Sequence, residues 1–570
     1  MEGIKTAYKT ILTISFVILI QSCGLLGIHF KVHNPKKPGK TPKFSRESIL
    51  LGEMTPLRSC YDVNYYDLAL TINPKEKQLN GKVEIYATAV KSFDSLQLDL
   101  HANFRINRLY DVNSNREINY YRKERAVIIE YNQEKGNTFT LAVEYEGEPS
   151  KAKKPPWKGG FVWEKDKNKN PWVGVACESE GASLWWPLKD HTADEPDSMR
   201  MHYTVPKELV AIGNGQAEGV DSLKYNNTYH WFVSYPINTY NVSVYVGDFV
   251  EIEDSYDGIN NEVLNLSYYV LKGNEEKASK HFKQVNGILK VYEKLFGEYP
   301  WYRDGFKLIE SPYSGMEHQT AIAYGSGYKN DLYGVDYIIL HEVAHEWWGN
   351  SITAEDLGDV WLQEGFATYA EALYFESVDG KDTYFSHLDF NKIFIKNKYP
   401  VVGVKDRRWF HFRKGSDVYM KGSWILHTLR SQLEDDSLFF SIIKNFYLEF
   451  KYQIVKSQDF IELVNKRTEK DYTWFFDQYL YNNFAPSLVY ECSDNGTLYF
   501  RWDKVNDNFD KLKVKIKTYK GIIEIIPSNK TQYVKIPSDD SGNWMISFNR
   551  NSLFELKESK HLIKDYLKHR

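Results

Sequence analysis

The sequence predicts a multidomain α+β protein in three parts: a β-rich N-terminal domain, a mainly helical central domain and a small C-terminal β module. Three observations carry this reading. Apolar and polar residues alternate with a period of two over much of Leu51 to Ile252. Near Gly273 the apolar spacing becomes that of helices. From about Pro486 the period of two returns.

The first fifty residues read as targeting rather than structure. Lys5 and Lys9 precede the apolar run Ile11 to Ile20, which at ten residues is too short to span a bilayer as a mature helix. Ile20-Gln21-Ser22-Cys23-Gly24 resembles a bacterial lipobox cleaved before Cys23. This makes residues 1–22 a signal peptide and Cys23 the lipidated residue. The mature protein is then exported and membrane-anchored, on the periplasmic or cell-surface face. An ordinary secretory signal with a chance cysteine is the alternative. Asn34 to Arg46 is rich in Pro, Gly and Lys. That composition opposes a packed core, so residues 23–50 form the lipidated N-terminus and a tether.

Residues 51–252 are the N-terminal β domain. Val83, Ile85, Ala87 and Ala89 alternate with Glu84, Tyr86 and Thr88; Leu96-Leu98-Leu100, Phe139-Leu141-Val143-Tyr145 and Val242-Val244-Val246 repeat the pattern. Lys151 to Pro171 reads as a polar loop, with Trp157, Trp163 and Trp172 within or beside it.

Residues 253–485 are the mainly helical domain. Asn274 can cap a helix with apolar positions at Phe282, Val285, Leu289, Tyr292 and Phe296, ended by Gly297 and Pro300. Strands follow between Phe306 and Tyr324. One helix runs from Tyr337 toward Gly349, which is its expected C-cap, and a second spans Asp359 to Tyr374. Further helices are expected over 423–433, 437–450, 457–466 and 472–480. Residues 486–570 form the C-terminal β module, with strands at Leu498-Phe500-Trp502, Leu512-Val514-Ile516 and 522–526.

The chain has 570 residues, 42% of them apolar, and a net charge of −4 with no long basic stripe, so nothing points to nucleic acid. Four cysteines are too few for a disulfide framework. Beyond Cys23, Cys60, Cys177 and Cys492 allow one pair at most and lack metal-ligand spacing.

The chemistry concentrates at His341-Glu342-Val343-Ala344-His345, followed after eighteen residues by Glu364. Histidines four apart on a helix share one face and can reach one metal ion. Glu342 flanks that face, where it can act on the attacking water without being a ligand. Glu364 supplies a third ligand and leaves one position open, as in catalytic zinc sites. Apolar neighbours crowd the motif, and burying these groups without a partner is costly. One Zn2+ per chain is therefore expected.

HEVAHEWWGN, with Glu364 in LQEGFATY, resembles the M1 family of zinc aminopeptidases, within the gluzincins. Ser314-Gly315-Met316-Glu317-His318 is similar to the family's GxMEN motif. Tyr419-Met420-Lys421-Gly422 is similar to the segment carrying its catalytic tyrosine. Glu178 to Ser198 is similar to its ExxxAR…P…DEP segment. The likeness runs from about Arg58 to about Leu480 and is strongest to bacterial lipoprotein-type members. It departs at His318, where Asn is usual, and at Ser183, where Arg is usual.

The resemblance implies a saddle-like N-terminal domain and a thermolysin-like catalytic domain. It implies an aminopeptidase acting on peptides with a free N-terminus. Glu342 is then the general base and Tyr419 the donor to the oxyanion. Glu317 clamps the substrate ammonium with help from Glu178, while Gly315 and Met316 line the substrate and Ile322 to Tyr324 offers it a strand edge. Thr368 and Glu371, one and two turns beyond Glu364, are candidate supports for the ligands. The rival readings are another hydrolase on this scaffold, an endopeptidase or epoxide hydrolase, and a non-catalytic surface-binding protein. Glu317 disfavours the endopeptidase, and the intact set of His341, Glu342, His345, Glu364 and Tyr419 disfavours the binding protein.

Overall fold

The computed structural model describes residues 43–408, 417–549 and 551–568. The expected signal peptide, the lipidation candidate Cys23 and most of the expected tether fall outside them. The end of the tether segment is folded, contrary to the expectation from its composition: Arg46–Gly52 is a helix whose cap, Ser45, accepts the Ser48 N–H at 3.0 Å. Ser48 Oγ donates to the Arg408 carbonyl at 2.8 Å. A Cβ on Gly52 would lie 2.3 Å from Arg407 backbone atoms. Leu51 supplies the buried anchor of this helix.

The N-terminal domain is built on an eight-stranded sheet. Its order is Gln216–Ser222, Asn226–Val233, Ser198–Pro206, Tyr61–Asn73, Gln78–Ala89, Thr138–Gly147, Phe104–Asp111 and Arg116–Glu117. Alternation decides the faces: Tyr66, Leu68, Leu70 and Ile72 of one strand are buried, while Asp67, Ala69 and Thr71 between them face outward. Tyr61–Asn73 pairs parallel to Ser198–Pro206, which requires a crossover. The crossover includes the hairpin Gly160–Lys165 with Pro171–Ala176, so the stretch read as a polar loop is partly sheet. The hairpin joins Tyr245–Gly247 and Val210–Ile212 in a second sheet, and Phe93–Asp99, Ala126–Gln133 and Tyr120–Lys123 form a third. These sheets share one apolar core that buries Trp185 and Trp186 completely.

The join to the central domain is not at residue 252. Phe249–Asp257 is one continuous strand paired with Val263–Leu271. It opens a five-stranded sheet of order Phe249–Asp257, Val263–Leu271, Phe306–Glu310, Ile322–Tyr324 and Gly315–Met316. The period of two runs through the first hairpin of the new domain, so alternation hides the boundary. Ile322–Tyr324 is interior to this sheet. The edge is Gly315–Met316, because the chain folds back and covers the strand expected to be open.

The helix expected from Asn274 is two helices, Glu275–His281 and Gln284–Phe296, both ahead of Gly297 at φ +121°. Asn274 does not cap with its side chain, which donates to Glu310 at 2.8 Å instead. Lys381–Lys392 is a helix that the sequence did not announce. Its buried face mixes Tyr384 and Leu388 with His387 and Asn391, so its apolar period is weak. The expected later helices are present as Asp417–Leu433, Asp436–Phe450, Ser457–Thr468 and Thr473–Leu480.

Two helices position the metal motif. Tyr337–Ala344 is capped by Asp336, which accepts the Ile338 N–H at 3.0 Å. It ends with His345 as C-cap, four residues short of Gly349. Trp361–Asp379 carries Glu364 and crosses Asp417–Leu433 at two glycines. A Cβ on Gly422 would meet Gly365 Cα at 2.8 Å. Bare backbone at both positions lets the helices touch, which brings Tyr419 over the metal motif. The C-terminal module folds against this domain, where Tyr479 donates to the Leu553 carbonyl at 2.8 Å.

Candidate active site

His341 Nε2, His345 Nε2 and Glu364 Oε2 converge on one point. The imidazole nitrogens are 3.1 Å apart, and the carboxylate oxygen lies 3.4 and 3.3 Å from them. All three residues are buried. Their outer nitrogens fix the tautomers. His341 Nδ1 lies 2.7 Å from Glu371 Oε1, and His345 Nδ1 lies 2.8 Å from the Trp348 carbonyl. Both partners only accept, so each Nδ1 donates. Each neutral ring then presents an Nε2 lone pair inward, where Glu364 Oε2 also has no hydrogen-bond donor among the described residues. Three buried lone pairs on one point fit a cation, and the donor set of two imidazoles and one carboxylate suits zinc.

Electrostatics shows the same demand for positive charge. Burial opposes charging both histidines, yet carboxylates outweigh it: Glu364 and Glu371 raise His341, and Glu317 and Glu364 raise His345. Burial would also raise Glu364, but the two histidines beside it outweigh burial and hold it at about 2. Glu342 is pushed up to about 8, first by burial, against the histidines and with Glu317 and Glu364 adding repulsion.

Gly315 serves a purpose beyond the one read from sequence. A Cβ there would lie 2.5 Å from Glu342 Oε1 and 2.7 Å from Ile338 Cγ2. Glycine makes room for the base itself. Met316 is 2% exposed and packs in the N-terminal apolar core. Glu317 is buried, and one donor atom each from Glu317, Glu342 and His345 lie within 4.8 Å of one another. Glu178 Oε1 is buried without a hydrogen-bond partner among the described residues. Burial raises Glu178 well above the carboxylate range, and Glu317, Glu364 and Glu342 raise it further. The Tyr419 ring lies 6.0 Å from that of His341, and its hydroxyl hydrogen-bonds Glu364. Glu371 supports His341 as expected. Thr368 gives no such support. Its hydroxyl is buried with no partner among the described residues, and it is Glu371 that meets the imidazole.

Several residues joined the site without a sequence signal. Tyr240 donates to Glu317 Oε1 at 3.3 Å and accepts from Gln363 Nε2 at 2.9 Å. Asn350 Nδ2 donates to the Glu317 carbonyl at 2.8 Å. His387 Nε2 meets the second oxygen of Glu371 at 3.0 Å. Of the two departures, His318 is fully buried, its Nδ1 2.6 Å from the Tyr245 hydroxyl, and burial pushes it down to about 3. Ser183 donates its backbone N–H to Asp190, whose ion pair at 2.8 Å comes from distant Arg408.

With this geometry in view, two family models match the chain: the peptidase M1 N-terminal domain over residues 62–241 and the peptidase family M1 domain over 281–479. The chain belongs to peptidase family M1. Aminopeptidase B of Rattus norvegicus is 26% identical to this M1 peptidase over 260 residues, 41% of this chain and 37% of the relative. Leucyl aminopeptidase of Saccharolobus solfataricus is 22% identical over 343 residues, 56% of this chain and 41% of the relative. The matches thus span less than half the length of these curated relatives. The crystal structure of an M1 zinc metallopeptidase from Deinococcus radiodurans superposes with a TM-score of 0.63 at 20% identity, covering 75% of this chain and 94% of that one. The β-rich domain followed by a helical catalytic domain is therefore the family's fold.

Proposed function

We propose that this M1 peptidase is a zinc-dependent aminopeptidase that releases N-terminal residues from peptides. The observation that carries the reading is the place of Glu317, a buried carboxylate within 4.8 Å of His345 and Glu342 donor atoms. In a peptide the α-nitrogen and the carbonyl carbon of the first residue are two bonds apart. An ammonium held at Glu317 therefore sets the first peptide bond, and no later one, beside Glu342. Glu178 Oε1, buried without a hydrogen-bond partner among the described residues, offers a second acceptor for the same ammonium.

Zinc held by His341, His345 and Glu364 would supply Lewis acidity, polarising the scissile carbonyl and acidifying the attacking water. Glu342 takes that water's proton and delivers it to the departing amine; its raised proton affinity suits both steps. The Tyr419 hydroxyl donates to the oxyanion that develops on the carbonyl. Glu371 and Trp348 hold both histidines in the ligating tautomer. A Deinococcus radiodurans M1 metallopeptidase crystallised with a Tyr-Ser-Ala substrate supports peptides as the substrate class.

The test compares a short peptide with its N-acetylated form. The wild type should prefer the free N-terminus by at least about tenfold in kcat/KM, because acetylation leaves the buried Glu317 without the ammonium as its cationic partner. Glu317→Ala should shrink that preference with zinc retained. Equal cleavage of both peptides, or internal cuts, would instead make the protein an endopeptidase.

Anchoring is part of the same proposal. Lipid on Cys23 would place the enzyme on a membrane face, with residues 24–45 as its leash. Among the described residues no helix is long and apolar enough to cross a membrane. Cys23→Ser should release the protein from the membrane fraction; wild type with an unmodified Cys23 thiol would remove the anchor.

A further inference from the structure

Far from the HEVAH motif in sequence, four outward-facing side chains form a row across four adjacent strands of the eight-stranded sheet. Asp221 lies on Gln216–Ser222, His230 on Asn226–Val233, His202 on Ser198–Pro206 and Asp67 on Tyr61–Asn73. His202 and His230 are direct cross-strand partners. His202 Nε2 lies 3.2 Å from Asp67 Oδ1, and His230 Nε2 lies 3.1 Å from Asp221 Oδ2. Between the rings, Nδ1 faces Nδ1 at 2.6 Å. The side chains are 24% and 23% exposed.

The row determines where the lone pairs are. A carboxylate only accepts, so each Nε2 carries hydrogen, and each neutral ring is left with a lone pair on Nδ1. Two lone pairs at 2.6 Å repel, and a positive species belongs between them. The arrangement on each side, carboxylate to imidazole to lone pair, is the one that orients histidine ligands in metal sites. His341 with Glu371 has the same order within this molecule.

We propose that His202 and His230 chelate a divalent transition-metal ion of the copper–zinc class through their Nδ1 atoms, with Asp67 and Asp221 orienting the rings. At metal–nitrogen distances of about 2.0–2.1 Å a tetrahedral ion holds its two nitrogens roughly 3.3 Å apart, so the rings part by about 0.7 Å. Directly opposed residues have Cβ atoms about 4.5–5.5 Å apart, close enough for this bite. The outer side is open. Gly219 is the register partner of His230, across a bulge, and no atom lies within 4 Å of where its Cβ would be. Solvent can fill the remaining positions. The nearby cation, Arg200, is neutralised by a two-pronged pair with Glu218 at 2.8 and 2.9 Å. Copper(II) should bind more tightly than zinc, following the order of stabilities for such ligands.

The test uses the full chain already holding one zinc equivalent, titrated with Cu2+ while zinc content is followed. Wild type should take one further equivalent at micromolar affinity, with a paramagnetic resonance spectrum showing two nitrogen ligands and no loss of zinc. His202→Gln should weaken this binding at least tenfold. Asp221→Asn, which leaves both imidazoles in place, should weaken it roughly tenfold. Both variants should keep the first zinc and the wild-type peptidase rate, which shows that they fold. Absence of a further equivalent below about 100 µM Cu2+ would overturn the site, leaving a shared proton between the rings. Undiminished copper binding in both variants would overturn it equally.

Discussion

Glu371 carries two imidazoles at once, His341 on one oxygen and His387 on the other. A glutamine there offers one acceptor and one donor, so one imidazole loses its partner. Glu371→Gln should therefore weaken zinc binding about 10–100-fold, measured by competition with a chelator, and unchanged affinity would show that His341 needs no orienting carboxylate. Gly315 makes a sharper demand, because an added methyl would sit 2.5 Å from the Glu342 carboxylate. Gly315→Ala should lower kcat by roughly 10²-fold with zinc content unchanged, since a displacement near 1 Å at a catalytic group costs that much. A loss confined to KM would place the effect on substrate instead. The ligands and the base were readable in the sequence because helical spacing itself encodes the geometry of His341, Glu342 and His345. Tyr240, Gln363 and Asn350 were not, because hydrogen bonds among three separated segments leave no periodic trace.

Helices deliver these residues, and their contact is set by what is missing from the side chains. Gly365 and Gly422 face each other where the Glu364 helix meets the Tyr419 helix. Gly422→Ala should force the helices apart and destabilise the fold by about 1–3 kcal/mol, seen as a lower Tm. Because Tyr419 rides on the displaced helix, kcat should fall further than zinc content. A variant with normal stability and normal kcat would show that the crossing tolerates a methyl. Apolar spacing locates most of the helices but not their ends. The HEVAH helix stops at Ala344, since the Trp347 and Trp348 N–H groups both turn back to the Ala344 carbonyl. Gly349, at φ +123°, still marks the exit, and a Cβ there would crowd His345 Nδ1 at 3.1 Å. Glycine reported a constraint near the end of the helix rather than the end itself.

Across the whole molecule, the two large domains meet through buried polar side chains. Thr192 Oγ1 donates to the Glu355 carbonyl at 2.7 Å, Asn241 Nδ2 to Asn350 Oδ1 at 2.8 Å, and Asn214 Nδ2 to the Gln319 carbonyl at 2.7 Å. Change of period revealed three parts, but it could not place their join, because a strand continues through it and the joining groups are polar. Glu195 lies in this seam. Burial raises it to about 7, against hydrogen bonds with Thr353 and Asn238. Its folded value thus exceeds the ordinary value of 4.5, and the folded state holds the proton more tightly than the unfolded state. The stability contributed by the neutral carboxyl is fully present below about pH 4.5 and is lost as pH rises through about 7. Glu195→Gln keeps a neutral side chain at every pH. Between pH 5 and pH 8 the wild type should therefore lose about 1–3 kcal/mol relative to Glu195→Gln, read from the urea midpoint of the first unfolding transition. Because the seam joins two domains, that transition should be the one that separates them. Parallel pH profiles for the two proteins would mean that Glu195 is already ionised in the folded protein and that the seam tolerates its charge.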